Sequence, residues 1–147
     1  MLRLDSVLRR AVVATVIAVA GAGFVQTGLS QDKARERVVL QVSDDNDKNW
    51  TTAFNVVNNL TNAYGKGNVE IELVAFSDGI QSLTFDSKVQ GRFAGARERG
   101  ARIIACENSM GRFKLKRGDM AADIDYVPTG VVHMMKRQRE GWIIIRP

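Results

Sequence analysis

From residue 38 onward, short apolar runs alternate with longer stretches in which apolar residues recur every three or four positions. Val38-Val39-Leu40-Gln41-Val42-Ser43 is a β-branched run of the kind a strand covered on both faces requires. Asp44, Asp45, Asn46 and Asp47 end it, and any of the last three can cap the helix that follows. In that helix Trp50, Ala53, Phe54, Val57, Leu60 and Tyr64 fall on one face, while Asn55, Asn58, Asn59 and Asn62 occupy the other. Gly65-Lys66-Gly67 closes it, since glycine tolerates the left-handed turn after a helix, and Val69 to Phe76 reads as a second strand.

A strand, a helix and a strand in that order form a βαβ unit, which implies parallel pairing. The pattern then recurs. Asp86 to Arg99 is an amphipathic segment with Val89, Phe93 and Ala96 inward, ended by Gly100, and Arg102 to Cys106 is the third strand. A short helical piece is predicted over Met110 to Leu115 and a brief fourth strand over Tyr126-Val127-Pro128. A helix then runs from Thr129 or Gly130 through Glu140, Gly141 stops it, and Trp142-Ile143-Ile144-Ile145 is the last strand. Five strands alternating with helices predict an α/β fold, a three-layer α/β/α sandwich on a mostly parallel five-stranded sheet.

The first thirty residues do not fit that pattern. MLRLDSVLRR is a basic lead, AVVATVIAVAGAGFV an uncharged run, and QTGLSQDKARER a polar sequel, the order of a secretory signal. The apolar run is shorter than the roughly 20 residues a spanning helix needs, so the membrane is expected to matter only if this segment stays uncleaved. Residues 1–30 are read as the signal, 31–37 as a linker and 38–147 as one domain, exported to the periplasm or an equivalent compartment. Without the signal the formal charge falls from +5 to +3, too small an excess to argue for nucleic acid.

In an open parallel sheet the carboxyl ends of the strands share one edge, where loops and helix N-termini frame a crevice. Here that edge carries Ser43, Asp44 and Asp45, then Ser77, Asp78 and Gly79, then Cys106 to Met110, then Pro128, Thr129 and Gly130. Cys106 is the chain's single cysteine, so no intrachain disulfide is available. A helix starting near Ser109, with Arg112, Lys114 and Lys116, would favour a thiolate, whereas Glu107 opposes it. Packing as a small apolar group is the competing role, because free cysteine is among the most buried residue types. Asp45, Asp47 and Asn49 imitate a calcium loop, but Trp50 stands at the required glycine and Val56 at the required glutamate, so capping explains them better. His133 is the single histidine, which leaves no metal site in prospect and no base for a serine nucleophile.

The stretches VVLQVSDDNDKNWTTAFNVVNNLTNAYGKGNVEIELVAF, IIACENSM and VPTGVVHMMKRQREGWIIIRP resemble the exported, single-domain branch of the DsrE/DsrF-like family, related to YchN. The likeness spans nearly all of the chain after the signal. It implies the same five-stranded sandwich, assembly as a homotrimer or homohexamer, and sulfur relay by a cysteine persulfide, with no cofactor and no metal. Cys106 would be the carrier, Ser43, Asp44, Asn108, Ser109 and Thr129 would contact the substrate, and the partner would be a sulfur donor or acceptor protein or a small thiol. Against this stands a non-catalytic, oligomeric small-ligand-binding protein in which Cys106 is structural.

Overall fold

The computed structural model describes residues 35–147. The expected signal segment and residues 31–34 of the expected linker lie outside the described residues. The first strand starts earlier than its apolar run suggested, taking in Glu36 and Arg37. In chain order the elements are β1 (Glu36–Val42), α1 (Asp47–Tyr64), β2 (Val69–Ala75), α2 (Phe93–Glu98), β3 (Ala101–Cys106), α3 (Glu107–Arg112), β4 (Asp125–Val127), α4 (Gly130–Arg139) and β5 (Ile143–Ile145). The strands lie in the order β4-β3-β2-β1-β5, and every pairing is parallel.

Strand alternation sends side chains to two faces. One face presents Val38, Leu40, Val42, Ile71, Leu73, Ala75, Ile103 and Ala105, packed beneath Trp50, Ala53, Phe54 and Val57 of α1 and Phe93 and Ala96 of α2. The other presents Val39, Val74 and Ile104 and is covered by Met134 of α4 and by Trp142. The second layer is much the thinner, with one ten-residue helix where the first has an eighteen-residue helix and α2. Asn46 is the residue that caps α1, its Oδ1 accepting from the backbone N–H groups of Lys48 at 2.9 Å and Asn49 at 3.4 Å.

Further expectations are corrected, among them the fourth strand, which runs Asp125–Val127 and leaves out Pro128. Asp86 to Arg99 is not one helix: a 3-10 turn at Gln90–Arg92 leads into α2, and a further 3-10 segment, Ser77–Leu83, precedes them. Thr84 bridges to Met120, Ser87 N–H bonds back to Thr84, and Gly91 weakens helix propensity, so only Phe93–Glu98 wind as α-helix. The helix expected over Met110 to Leu115 starts directly after Cys106 and ends at Arg112, followed by Lys114 at φ 56°. Finally, Trp142 is not part of β5. Its N–H bonds to the Arg137 carbonyl and Gly141 takes φ 84°, a closure that ends α4 and turns the indole into its own subunit, 7% exposed.

Candidate functional site

Cys106 is the last residue of β3, and alternation puts it on the α4 face with Arg102 and Ile104. Its side chain is buried, 3% exposed. The Gly130 backbone N–H donates to Cys106 Sγ at 3.2 Å. That N–H belongs to the first turn of α4 and has no acceptor inside the helix, so the sulfur fills a vacancy every helix start carries. The close approach suits glycine: a Cβ at position 130 would lie 3.2 Å from Phe76 Cβ, 3.3 Å from Cys106 Cβ and 3.4 Å from Val74 Cγ1, and these neighbours would have to give by a few tenths of an ångström.

The other residues expected at the site divide into two groups. Asn108 and Thr129 join Cys106, with Asn108 Nδ2 donating to Thr129 Oγ1 at 3.0 Å and Asn108 N–H to the Pro128 carbonyl at 3.1 Å. Ser109 sits behind them, its Oγ accepting from Ser77 N–H at 2.8 Å, and this bond anchors Ser77 in the left-handed region at φ 51°. Ser43 and Asp44 are instead tied to the end of β1 and the start of α1. Ser43 Oγ accepts from Gln41, Asp44 Oδ2 from Asn49 Nδ2 at 3.1 Å, and the Asp44 carbonyl from Trp50 Nε1 at 2.7 Å. The charges expected around the thiol are engaged elsewhere, Arg112 with Asp78 at 3.7 Å and Glu107 with Arg117 at 2.7 Å. Among the described residues no three His, Cys, Asp or Glu side chains converge as a metal centre would require.

A second constellation lies beneath the same helix and was not foreseen. Glu72, in the middle of β2, is 1% exposed and receives four hydrogen bonds. Arg102 Nη1 reaches Oε1 at 2.9 Å and Arg137 Nη2 the same oxygen at 2.6 Å, while Arg137 Nε at 3.0 Å and His133 Nε2 at 2.7 Å serve Oε2. Burial pushes the Glu72 carboxyl up, but the hydrogen bonds and charges of Arg137 and His133 outweigh it and hold the group below the usual carboxylate range. The same bond to Glu72 holds Arg137 above its ordinary value, against the effect of burial. Arg137 also stacks on the Trp142 ring at 4.8 Å and bonds Glu140 at 2.8 Å. The sequence held one signal for this cluster, a glutamate on the inward register of a central strand; Arg102 comes from the next strand, thirty residues on, and His133 and Arg137 from a helix more than sixty residues away.

A cleft of about 310 Å³ opens beside the cluster, lined by Arg35, Glu70, Glu72, Arg99, Arg102 and Arg137 among others. It lies at the amino-terminal edge of the sheet, where Gly67 and Gly100 precede β2 and β3, opposite the edge at which the sequence placed a crevice.

This sheet order and connectivity match known proteins. The family model for the DsrE/DsrF-like family matches residues 36–147, and the chain belongs to that family. It is similar to a solved protein of unknown function from Methanobacterium thermoautotrophicum, with 33% identity, a TM-score of 0.72, and coverage of 76% of this chain and 99% of that one. It also shares its fold with a conserved protein of unknown function from Bacteroides thetaiotaomicron, at 17% identity and TM-score 0.60, covering 76% of this chain and 95% of that one. The ychN protein from E. coli has the fold as well, at 8% identity and TM-score 0.60, covering 77% and 99%. No curated protein matches the chain.

Proposed function

We propose that this protein is an exported sulfur-relay protein whose Cys106 carries a sulfane sulfur as a persulfide. Family membership supports sulfur handling, and the observation that carries the assignment to Cys106 is the Gly130 N–H aimed at its sulfur, a donor placed where charge on sulfur needs stabilising. In the transfer step Cys106 gives its proton to solvent and its thiolate attacks the outer sulfur of a donor persulfide or polysulfide. A new S–S bond forms at Cys106, the donor's S–S bond breaks, and the donor thiolate leaves with the electron pair. An acceptor thiolate then attacks the outer sulfur and restores Cys106. Asn108 and Thr129, bonded to each other beside the cysteine, would meet the incoming donor; Ser109 would hold the loop at Ser77, and Ser43 and Asp44 would border the same edge. Export rests on the basic, apolar and polar order of the first thirty residues.

Incubating the folded protein with a polysulfide is expected to add one sulfur, about 32 Da, to the wild type and nothing to Cys106→Ser, as intact mass spectrometry will read. The second reading, a small-ligand-binding protein with a packed cysteine, is favoured by the 3% exposure of Cys106 and by the basic-walled cleft. An adduct that forms only in denaturant would select it.

We further propose that the protein works as a homotrimer or homohexamer. Val131, Val132 and Met135 of α4 and Ile143 of β5 are 45%, 61%, 50% and 51% exposed, an apolar surface for which association supplies cover. Sedimentation of the signal-free chain at micromolar concentration is expected to show the oligomer. A persistent monomer would remove the assembly.

A further inference from the structure

We propose that Glu72 gates Cys106: the buried carboxylate holds α4 against the sheet, α4 holds the thiol closed, and breaking the Glu72 cluster exposes the sulfur while the rest of the domain stays folded. This rests on the reading of Cys106 as the reactive group, because a purely packed cysteine needs no gate.

The geometry begins with what covers the thiol, the first residue of α4, whose N–H lies 3.2 Å from the sulfur and whose Cα leaves no free room for a side chain. Cys106 therefore becomes accessible when α4 lifts or frays at that end. Within its own subunit the apolar hold on α4 is slight. Only Gly130 and Met134 of its ten residues are buried, whereas α1 buries Trp50, Ala53, Phe54, Val57 and Thr61. Most of the remaining grip is polar and converges on one side chain. His133 and Arg137, four residues apart on the same helix face, together make three of the four hydrogen bonds to Glu72.

The two ends of this arrangement are rigidly spaced. Glu72 is in register with Arg102, four residues before Cys106 on β3, a distance of about 13 Å along the strand. Gly130 and Arg137 are seven residues apart on α4, about 10 Å along its axis. One short helix thus joins the carboxylate at one end to the sulfur at the other. Removing the charge of Glu72 takes from Arg137 its buried counter-ion and leaves its inward edge facing an apolar sheet, which favours the lifted helix, where it reaches water and keeps Glu140; Arg102, half exposed on β3, keeps Asp125 in either state. An acceptor or donor protein that engages Arg137 or His133 would have the same effect, coupling docking to thiol exposure.

The test is the rate at which N-ethylmaleimide modifies the single cysteine of the folded full chain, a readout independent of sulfur chemistry. Glu72→Gln is expected to react at least about tenfold faster than wild type. Val57→Ala, which opens a hole in the opposite layer, is expected to change the rate far less than its loss of global stability would. If both variants accelerate in proportion to their lost stability, the thiol is exposed only by global unfolding and the gate is wrong; an unchanged rate in Glu72→Gln is equally decisive against it. Should Glu72→Gln not fold, wild-type amide exchange decides. His133 to Arg137, whose N–H groups are bonded within α4, are expected to exchange at least about tenfold faster than Leu40 and Leu73, and equal protection would overturn the gate. Failure of the polysulfide adduct with acceleration intact would instead refute the sulfur-relay reading and leave the mechanical coupling standing.

Discussion

Gly79→Ala is expected to destabilise the protein by about 3 kcal/mol or more, the upper part of the range for forcing extra volume into a packed region. A Cβ at position 79 would overlap the Val42 carbonyl oxygen and lie 2.6 Å from its carbon and 2.7 Å from Ser43 N. These are backbone atoms of the central sheet, so no side-chain rotation relieves the clash. Either the Ser77–Leu83 segment or the end of β1 must move. Movement of the former pulls on the Ser77–Ser109 bond, so disturbance of the loop behind Cys106 should accompany the lost stability. Alanine ordinarily stabilises relative to glycine by restricting the unfolded chain, by about 0.4–1 kcal/mol, and steric overlap here exceeds that gain. Gly95→Ala is the matching control. It lies within α2 with nothing inside 4 Å of its Cβ, and it should stabilise by up to about 1 kcal/mol. Urea midpoints of the two variants are expected to move in opposite directions. Equal midpoints would mean that residue 79 does not press on the end of β1.

The pattern of apolar positions was enough to place β1, α1, β2 and β3, because each is long enough for period and end signals to agree. Cys106 could be assigned to the carboxyl edge on the same grounds. The segment from Ser77 to Arg92 was not legible, since 3-10 turns have no apolar period of their own and are set by contacts such as Thr84 with Met120. The fourth strand was displaced by one residue because Pro128 was counted into it. Proline has no N–H to give the ladder, and β4 ends at Val127. Trp142 read as part of an apolar edge strand, yet the left-handed Gly141 before it redirects the indole onto Val39, Val74 and Ile104. The polar half of the α4 layer was missed for a different reason. Glu72, His133 and Arg137 are separated by up to 65 positions, and only the return of α4 over β2 brings them together.

The second large effect concerns that cluster. Glu72→Ala is expected to lower stability by about 3 kcal/mol near neutral pH, the lower end of the range for breaking a buried ion pair, since Arg137 loses its buried partner and keeps Glu140, while the half-exposed Arg102 keeps Asp125. The dependence on pH gives the loss a signature that a simple packing defect lacks. In the folded protein the Glu72 carboxyl titrates below its ordinary value of 4.5, because the bonds and charges of Arg137 and His133 outweigh the upward effect of burial. A group with a lowered folded pKa binds protons more readily when unfolded, so its contribution is fully present above the unfolded value and disappears as pH falls through the folded one. The stability gap between wild type and Glu72→Ala should therefore be wide at pH 7, persist down to about pH 4.5, and narrow progressively below it. Asp125 and Glu140, the other acidic partners of the same arginines, are present in both proteins and cancel in the gap to first order. Urea unfolding of the pair at a series of acid pH values is the measurement. A gap that stays constant down to pH 3 would show that the alanine acts by lost packing, and the ionised carboxylate would then have no part in holding α4 to the sheet.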